Sequence, residues 1–330
     1  MPETEFFFET SLGKGSYGSV SLYKGQHAGE TGYAAVKTSD EKHAESLYRE
    51  FRILSELNGC PRIVKCYGTK VAEKLNEQGS ISYCFPMEYA SGGSLRSFMD
   101  TFEDKKLPDP LIREFTCMIL QGLATIHRHG YVHCDLKPGN ILVFPSLVCR
   151  NGAWVFSYEL KISDFGATRR DGDSSWWQPH RPVAGTAIYM SPESISHGET
   201  GKGLDLWSLG CVVLEMYTGK RPWWHTNYDL EDLKNCNEPL IPSDLPFDAK
   251  LFLMTCFAFE ADDREDAMTL LRHSFLNGCI NKIAEPFVYA KTETHRKAIA
   301  LELEKFFRGD MSRFKNTRVA EVIPGKTVEA

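Results

Sequence analysis

The chain has 330 residues, with 42% hydrophobic and 25% charged residues, a globular composition long enough for two domains or one large bilobal one. Its net charge of −6 excludes general attraction to nucleic acid or an anionic membrane, and the most apolar stretch, 206–217, is too short to span a bilayer and holds Glu215. Ten scattered cysteines without a CxxC pair, and a start (MPETEFFFET) without the features of a secretion signal, argue against a disulfide scaffold or zinc site and for the cytosol or nucleus.

In chain order, EFFFETSLG and SVSLYKG read as strands around a glycine-rich turn, and GETG leads into the apolar run YAAVK. AESLYREFRILSEL (44–57) sets Leu47, Phe51, Leu54 and Leu57 at helical spacing. IVKCYGTKVA and SISYCFPMEYA are expected to add two strands around the turn LNEQGS. From about Gly92 the pattern becomes helical. PLIREFTCMILQGLATIHRHG places Ile112, Phe115, Ile119, Leu123 and Ile126 on one stripe, with Gly130 as its stop. Helices resume between 203 and 279. The expectation is an α+β, bilobal protein: a small β-rich lobe with one helix at about 5–89, a hinge, and a larger, mainly helical lobe at about 91–280. A tail follows at 281–330. Within it TETHRKAIALELEKFFRG can form a helix with Ile299, Leu303 and Phe306 on one side, packed on the main body or, alternatively, bound to a partner protein.

Chemistry enters with GKGSYGSV, which comprises Gly13, Lys14, Gly15, Ser16, Tyr17, Gly18, Ser19 and Val20. A dinucleotide site needs a helix straight after such glycines, but Val20 continues as a strand, and no Walker A pattern is present. A glycine turn between antiparallel strands lets backbone N–H groups approach phosphates; an ordinary glycine hairpin is the plain alternative. Lys37 closes the apolar run AAVK, where a lysine is costly unless an acid or anion meets it or its stem merely snorkels. Glu50 is the candidate partner, and Glu45 a weaker one. HCDLKPGN (133–140) then crowds Asp135, Lys137 and Asn140 together. Phosphoryl transfer needs positioning and charge stabilisation. Asp135 can orient or accept the proton of a hydroxyl, Lys137 can neutralise phosphoryl charge, and Asn140 offers oxygen to Mg²⁺. Asp164, in KISDFGATRR, is a second metal candidate.

Glycine loop, lysine, HxDxKxxN and DFG, in that order, resemble the eukaryotic protein-kinase signature set over most of 5–280. The resemblance implies the bilobal kinase fold, ATP and Mg²⁺ as cofactors, and phosphoryl transfer to protein hydroxyls. It implies that Leu12, Val20, Ala35 and Leu142 sandwich the adenine. Met87 would gate the rear of that pocket, and backbone groups of Glu88 and Ala90 would bond the ring edge. Asp205 would hold the catalytic-loop backbone, and Glu193 would pair with Arg264. Lys137 is the serine/threonine pattern, and Thr186, after Gly185, would bridge Asp135 and Lys137.

HCDLKPGNILV, REFRILSEL, FPMEYASGGSL and GTAIYMSPES narrow the likeness to plant MEKK-type MAP kinase kinase kinases, whose protein substrates are MAP kinase kinases. Alternatives from other classes are a pseudokinase scaffold and a small-molecule kinase; the intact polar set and GTAIYMSPES speak against them. Cys134 stands where many kinases carry an arginine that needs a phosphate on the activation segment, so activity without phosphorylation at Thr168, Ser174 and Ser175 is expected. Ala187 departs from the usual proline. The long stretch 143–160 is expected to be an extended hairpin turning at Asn151–Gly152. Trp176 and Trp177 are expected to pack on the large lobe rather than dock a protein, and Trp223 and Trp224 to be structural.

Overall fold

The fold is that of a computed structural model, which describes residues 5–277 apart from 16–17, 28–29, 76–78, 151–152, 174–185, 226–232 and 234–237. Ser16, Tyr17, the turn at Asn151–Gly152, Ser174, Ser175, Trp176, Trp177, Gly185 and the tail 281–330 lie outside the described residues.

Strands β1 (Glu5–Gly15), β2 (Gly18–His27), β3 (Glu30–Asp40), β4 (Ala72–Leu75) and β5 (Ile81–Glu88) form one antiparallel sheet in the order β1-β2-β3-β5-β4. The glycine turn therefore joins two strands, with Gly13 opposite Val20 and Gly15 opposite Gly18. Gly18 is sterically required, because a Cβ there would lie 2.1 Å from the Thr38 carbonyl oxygen. Helix α1 (Ala44–Glu56) buries Leu47, Glu50, Phe51 and Leu54. That i, i+3, i+4, i+7 spacing puts a carboxylate on the apolar face. Phe51 meets Phe85 of β5, ring centroids 5.4 Å apart.

The strand expected over IVKCYGTKVA starts later, at Ala72. Before it, Ile63 and Cys66 make only single bridges, to Ile162 and Met87. These residues are buried and their backbone groups are satisfied one at a time. The Val64 N–H donates to the Ile162 carbonyl (2.9 Å) and the Tyr67 N–H to the Pro86 carbonyl (2.8 Å).

Helices α2 (Leu95–Met99), α3 (Asp109–Arg128), α4 (Pro192–His197), α5 (Lys202–Thr218), α6 (Phe247–Cys256) and α7 (Ala267–Leu270) follow, with strands β6 (Tyr131–Val132), β7 (Ile141–Arg150), β8 (Ala153–Ile162) and β9 (Arg169–Arg170) between α3 and α4. The α3 stripe is the core of this part: Ile112, Phe115, Ile119, Leu123 and Ile126 are each exposed by 1% or less. The chain leaves α3 through Gly130, whose φ of +74° suits glycine. Helix α5 is buried from Leu204 to Met216, mostly apolar but with Asp205, Ser208 and Glu215 enclosed among the apolar side chains. The long insert is indeed a hairpin, β7 pairing β8 from Ile141–Ile162 to Arg150–Ala153. Trp223 is buried and donates from Nε1 to the Ile188 carbonyl at 3.2 Å. Trp224 is instead 43% exposed, because its ring lies outside the core under the Lys220 ammonium. Among the described residues no helix is long and apolar enough to cross a membrane.

Candidate active site

Lys37 sits in β3 opposite Val20 and Phe85. Its Nζ donates to Glu50 Oε2 at 2.6 Å and to Asp164 Oδ1 at 2.8 Å. Glu45 is exposed, so the register of α1 selects Glu50. Burial alone would lower the Lys37 pKa, but the Glu50 and Asp164 carboxylates outweigh it and hold the ammonium above the ordinary lysine value. Burial likewise works against charge on Asp164, yet Lys37 keeps that carboxyl below its usual range. Asp164 has a left-handed backbone, φ +63°. The next side chain, Phe165, is fully buried with its ring 5.1 Å from that of His133. Arg49 of α1 donates to the Gly166 carbonyl at 2.8 Å, a clamp that the sequence reading missed.

HCDLKPGN (133–140) folds into a second cluster around Asp135. Asp135 Oδ1 accepts the Thr186 N–H (3.0 Å) and hydroxyl (3.1 Å). Its Oδ2 accepts from Lys137 Nζ (2.6 Å) and Asn140 Nδ2 (3.0 Å). Lys137 also donates to Thr186 Oγ1 at 2.8 Å, so the hydroxyl links both residues. The cluster rests on Asp205, which is wholly buried and accepts the N–H groups of His133 (2.8 Å) and Cys134 (3.0 Å) and His127 Nε2–H (2.9 Å). Burial pushes the Asp205 carboxyl up, but His127, His133 and the backbone N–H groups more than offset it and leave its pKa low. Cys134 has φ +66°, a strained conformation for a residue with a side chain that the two bonds to Asp205 hold in place. Burial pushes its thiol well up, so the position is electrically neutral.

His133 had no assigned role. Its Nε2 donates to the Ser163 carbonyl (3.1 Å) while Nδ1 accepts the Asp135 N–H (3.3 Å), which fixes the tautomer and ties Asp135 to the strand before Asp164. The only advance signal was its place two residues before the acid. Thr168 is 1% exposed and donates to the His133 carbonyl at 3.3 Å. Thr168 is therefore a loop brace rather than a phosphate acceptor, which corrects its inclusion with Ser174 and Ser175.

The adenine-pocket candidates are brought partly together. Ala35 pairs with Met87 across β3 and β5 and with Leu22 across β2, and both Ala35 and Met87 are buried. Val20 lies opposite Lys37. Leu142 bridges to Ser94. Leu12 is 43% exposed on β1. Lys14 pairs with Ser19 beside the turn. The Glu88 N–H is spent on the Lys65 carbonyl (2.9 Å), and the Ala90 carbonyl accepts from Gly93 (3.1 Å). The Glu88 carboxylate is clamped by Lys161 Nζ (2.8 Å) and the Lys65 N–H (2.6 Å), partners that sequence spacing did not reveal.

The donors suit a hard cation. The Asp164 side chain is 45% exposed, with Lys37 on one oxygen. Asn140 spends its Nδ2 on the Asp135 side chain and on the Asp135 carbonyl (2.8 Å), leaving its amide oxygen as the acceptor. One carboxylate and one amide oxygen match Mg²⁺, which keeps waters and phosphate oxygens as its other ligands. Farther away, the buried Arg264 guanidinium holds Glu193 bidentately at 2.5 and 3.0 Å and lies 5.0 Å from the Trp207 ring.

Comparison with known proteins agrees with this geometry. Residues 6–276 match the family described as the protein kinase domain. The chain is 36% identical over 275 residues to mitogen-activated protein kinase kinase kinase 20 of Arabidopsis thaliana, across 81% of this chain and 76% of that protein. It is 35% identical over 286 residues to mitogen-activated protein kinase kinase kinase 18 of the same plant, across 83% and 77%. A third relative is mitogen-activated protein kinase kinase kinase A of Dictyostelium discoideum, 31% identical across 85% of this chain and 29% of its own length. With the family match spanning the sheet, the Lys37 triad and the Asp135 cluster, the chain belongs to the protein kinase domain family.

Proposed function

We propose that this protein transfers the γ-phosphoryl group of Mg-ATP to serine or threonine hydroxyls of protein substrates, and that those substrates are MAP kinase kinases. The observation that carries the reading is Lys37 held at 2.6 Å from Glu50 and 2.8 Å from Asp164, beside a separate Asp135–Lys137–Thr186–Asn140 cluster. Kinase chemistry requires both the lysine–glutamate pair and the metal-binding aspartate in place.

In this reading residues 5–280 are the catalytic domain. Ala35, Met87, Val20, Leu12 and Leu142 would enclose the adenine, and the Glu88 carbonyl and Ala90 N–H would bond its edge. The glycine turn from Gly13 to Gly18 would cover the phosphates with backbone N–H groups. Lys37 would bind phosphate oxygens, its charge secured by two acids. Asp164 and the Asn140 amide oxygen would hold magnesium, which when bound neutralises phosphate charge. Asp135 would orient the incoming hydroxyl and take its proton. Lys137 would offset charge on the group in transfer, and Thr186 would hold Lys137 and Asp135 in register. Lys137 supports serine/threonine rather than tyrosine acceptors, and the relatives' names support the cascade position. The cytosol or nucleus is the compartment that fits the free thiols of the described cysteines.

The test is radiolabelled phosphate transfer to a panel of purified MAP kinase kinases by the unaltered chain and by Asp135→Asn. Loss of about a thousandfold in the variant is expected. Equal signals from both would overturn catalysis by this chain and favour a scaffold. Transfer to generic substrates but to no panel member would overturn the cascade assignment alone.

A further inference from the structure

Helix α6 has two apolar faces. One is core: Ala249, Phe252, Leu253 and Cys256 are fully buried. The other carries Phe247, Leu251 and Met254, exposed by 72%, 38% and 57%, and Phe259 just beyond the helix is exposed by 60%. Residues 247, 251 and 254 recur at i, i+4, i+7, so they form one stripe along the helix. With Phe259 they leave on the order of 400 Å² of apolar surface in water, a size that on single chains is often functional.

We propose that this stripe is the docking site for the chain's own C-terminal segment around Ile299, Leu303 and Phe306. Three observations support that occupant. First, the described chain ends beside α6. Phe275 stacks on Phe252, centroids 4.9 Å apart, and Arg113 donates both to the Phe275 carbonyl (2.7 Å) and to Asp248 of α6 (2.6 Å). From Asn277 to Thr292 the chain can reach roughly 50 Å, against about 15 Å for the whole of α6, so the segment is tethered at about millimolar effective concentration. Second, the spacings match. Ile299, Leu303 and Phe306 also stand at i, i+4, i+7, and two such stripes can lie side by side. Third, the charges are complementary. Segment 291–308 holds five lysines and arginines against three glutamates. The stretch after α6 exposes Glu260, Asp262, Asp263 and Glu265, and Arg264 among them is turned inward onto Glu193. That surface is therefore acidic.

The experiment is hydrogen exchange on the full chain, alone and as Leu251→Glu/Met254→Glu. Both substituted side chains are exposed, and exchange in α3 and α5 reports whether the fold is kept. Amides of 298–306 are expected to exchange at least about tenfold faster in the variant than in the unaltered chain. The reciprocal variant Ile299→Asp/Leu303→Asp leaves residues 5–277 unaltered and is expected to abolish a lysine cross-link between Lys250 and Lys297 or Lys305. No protection in the unaltered chain, or protection that survives the α6 substitutions, overturns the proposal. Cross-links that join isotopically labelled to unlabelled chains also overturn it, by making the stripe an interface between copies.

Discussion

At the scale of single residues, Lys37 is the half-buried charge on which most depends. Removing its ammonium leaves the enclosed Glu50 carboxylate without its cation, with only the Phe165 backbone N–H to offset burial. Lys37→Met is expected to lower stability by about 3 kcal/mol as well as abolish transfer. Lys37→Met/Glu50→Leu removes both charges and is expected to recover most of the stability in urea titrations but none of the activity. Recovery of activity would mean that the pair serves the fold alone. The acids set the pH dependence. The Asp164 and Asp205 pKa values are depressed by their partners. Their stabilisation is present above the unfolded value near 3.9 and is lost as pH falls through the lower folded values. Lys37 has the opposite sign. Its contribution is complete below the unfolded lysine value near 10.4 and is lost only as pH rises through a still higher folded one, so it is constant around neutrality. Urea midpoints from pH 7 to 2 are expected to fall below about pH 4, and less steeply in Asp205→Asn.

At the scale of elements, the packing of α5 on α6 turns on Gly210. A Cβ there would lie 2.8 Å from both Cys256 Cβ and the Phe257 ring. Gly210→Ala would gain about 1 kcal/mol of helix propensity but incur about 1–3 kcal/mol of overpacking. A net loss is therefore expected, read as a fall of several degrees in the thermal midpoint; a rise would show that α6 can move outward at little cost. The elements also show how far periodicity reaches. The α3 stripe and the α1 face were legible because each repeats within a few residues. The run at 63–71 was read as strand because it is apolar and β-branched, yet its residues pair singly with distant backbone groups. Only Ile63, Val64, Cys66 and Val71 of this run are buried, and composition alone does not distinguish such irregular chain from strand.

At the scale of the whole molecule, the question is what must be added before the site works. The lysine–glutamate pair is formed, Phe165 is buried, and the position before Asp135 is the neutral, buried Cys134. No cation at that position calls for a phosphate on the activation segment. Ser174→Ala/Ser175→Ala is expected to keep turnover within about threefold, with Thr168 left intact as a brace. A loss of about a hundredfold in a folded variant would show that another group demands the phosphate. The two parts of the molecule are also joined at Glu88, whose carboxylate reaches Lys161 across 73 residues of chain.

The amino-acid order alone determined which polar residues are available and in what succession: the glycine turn, Lys37, Asp135, Lys137, Asn140 and Asp164. It also determined the helices whose apolar stripes repeat locally. Only the tertiary structure decided who meets whom. It selected Glu50 over Glu45, closed Lys37 onto an acid 127 positions away, placed Asp205 under the Asp135 loop, and clamped Glu88 with Lys161. The physical reason is range. Spacing along a chain encodes the repeat of one helix or strand, whereas an ion pair between distant segments exists only once the intervening elements have packed and excluded water from it.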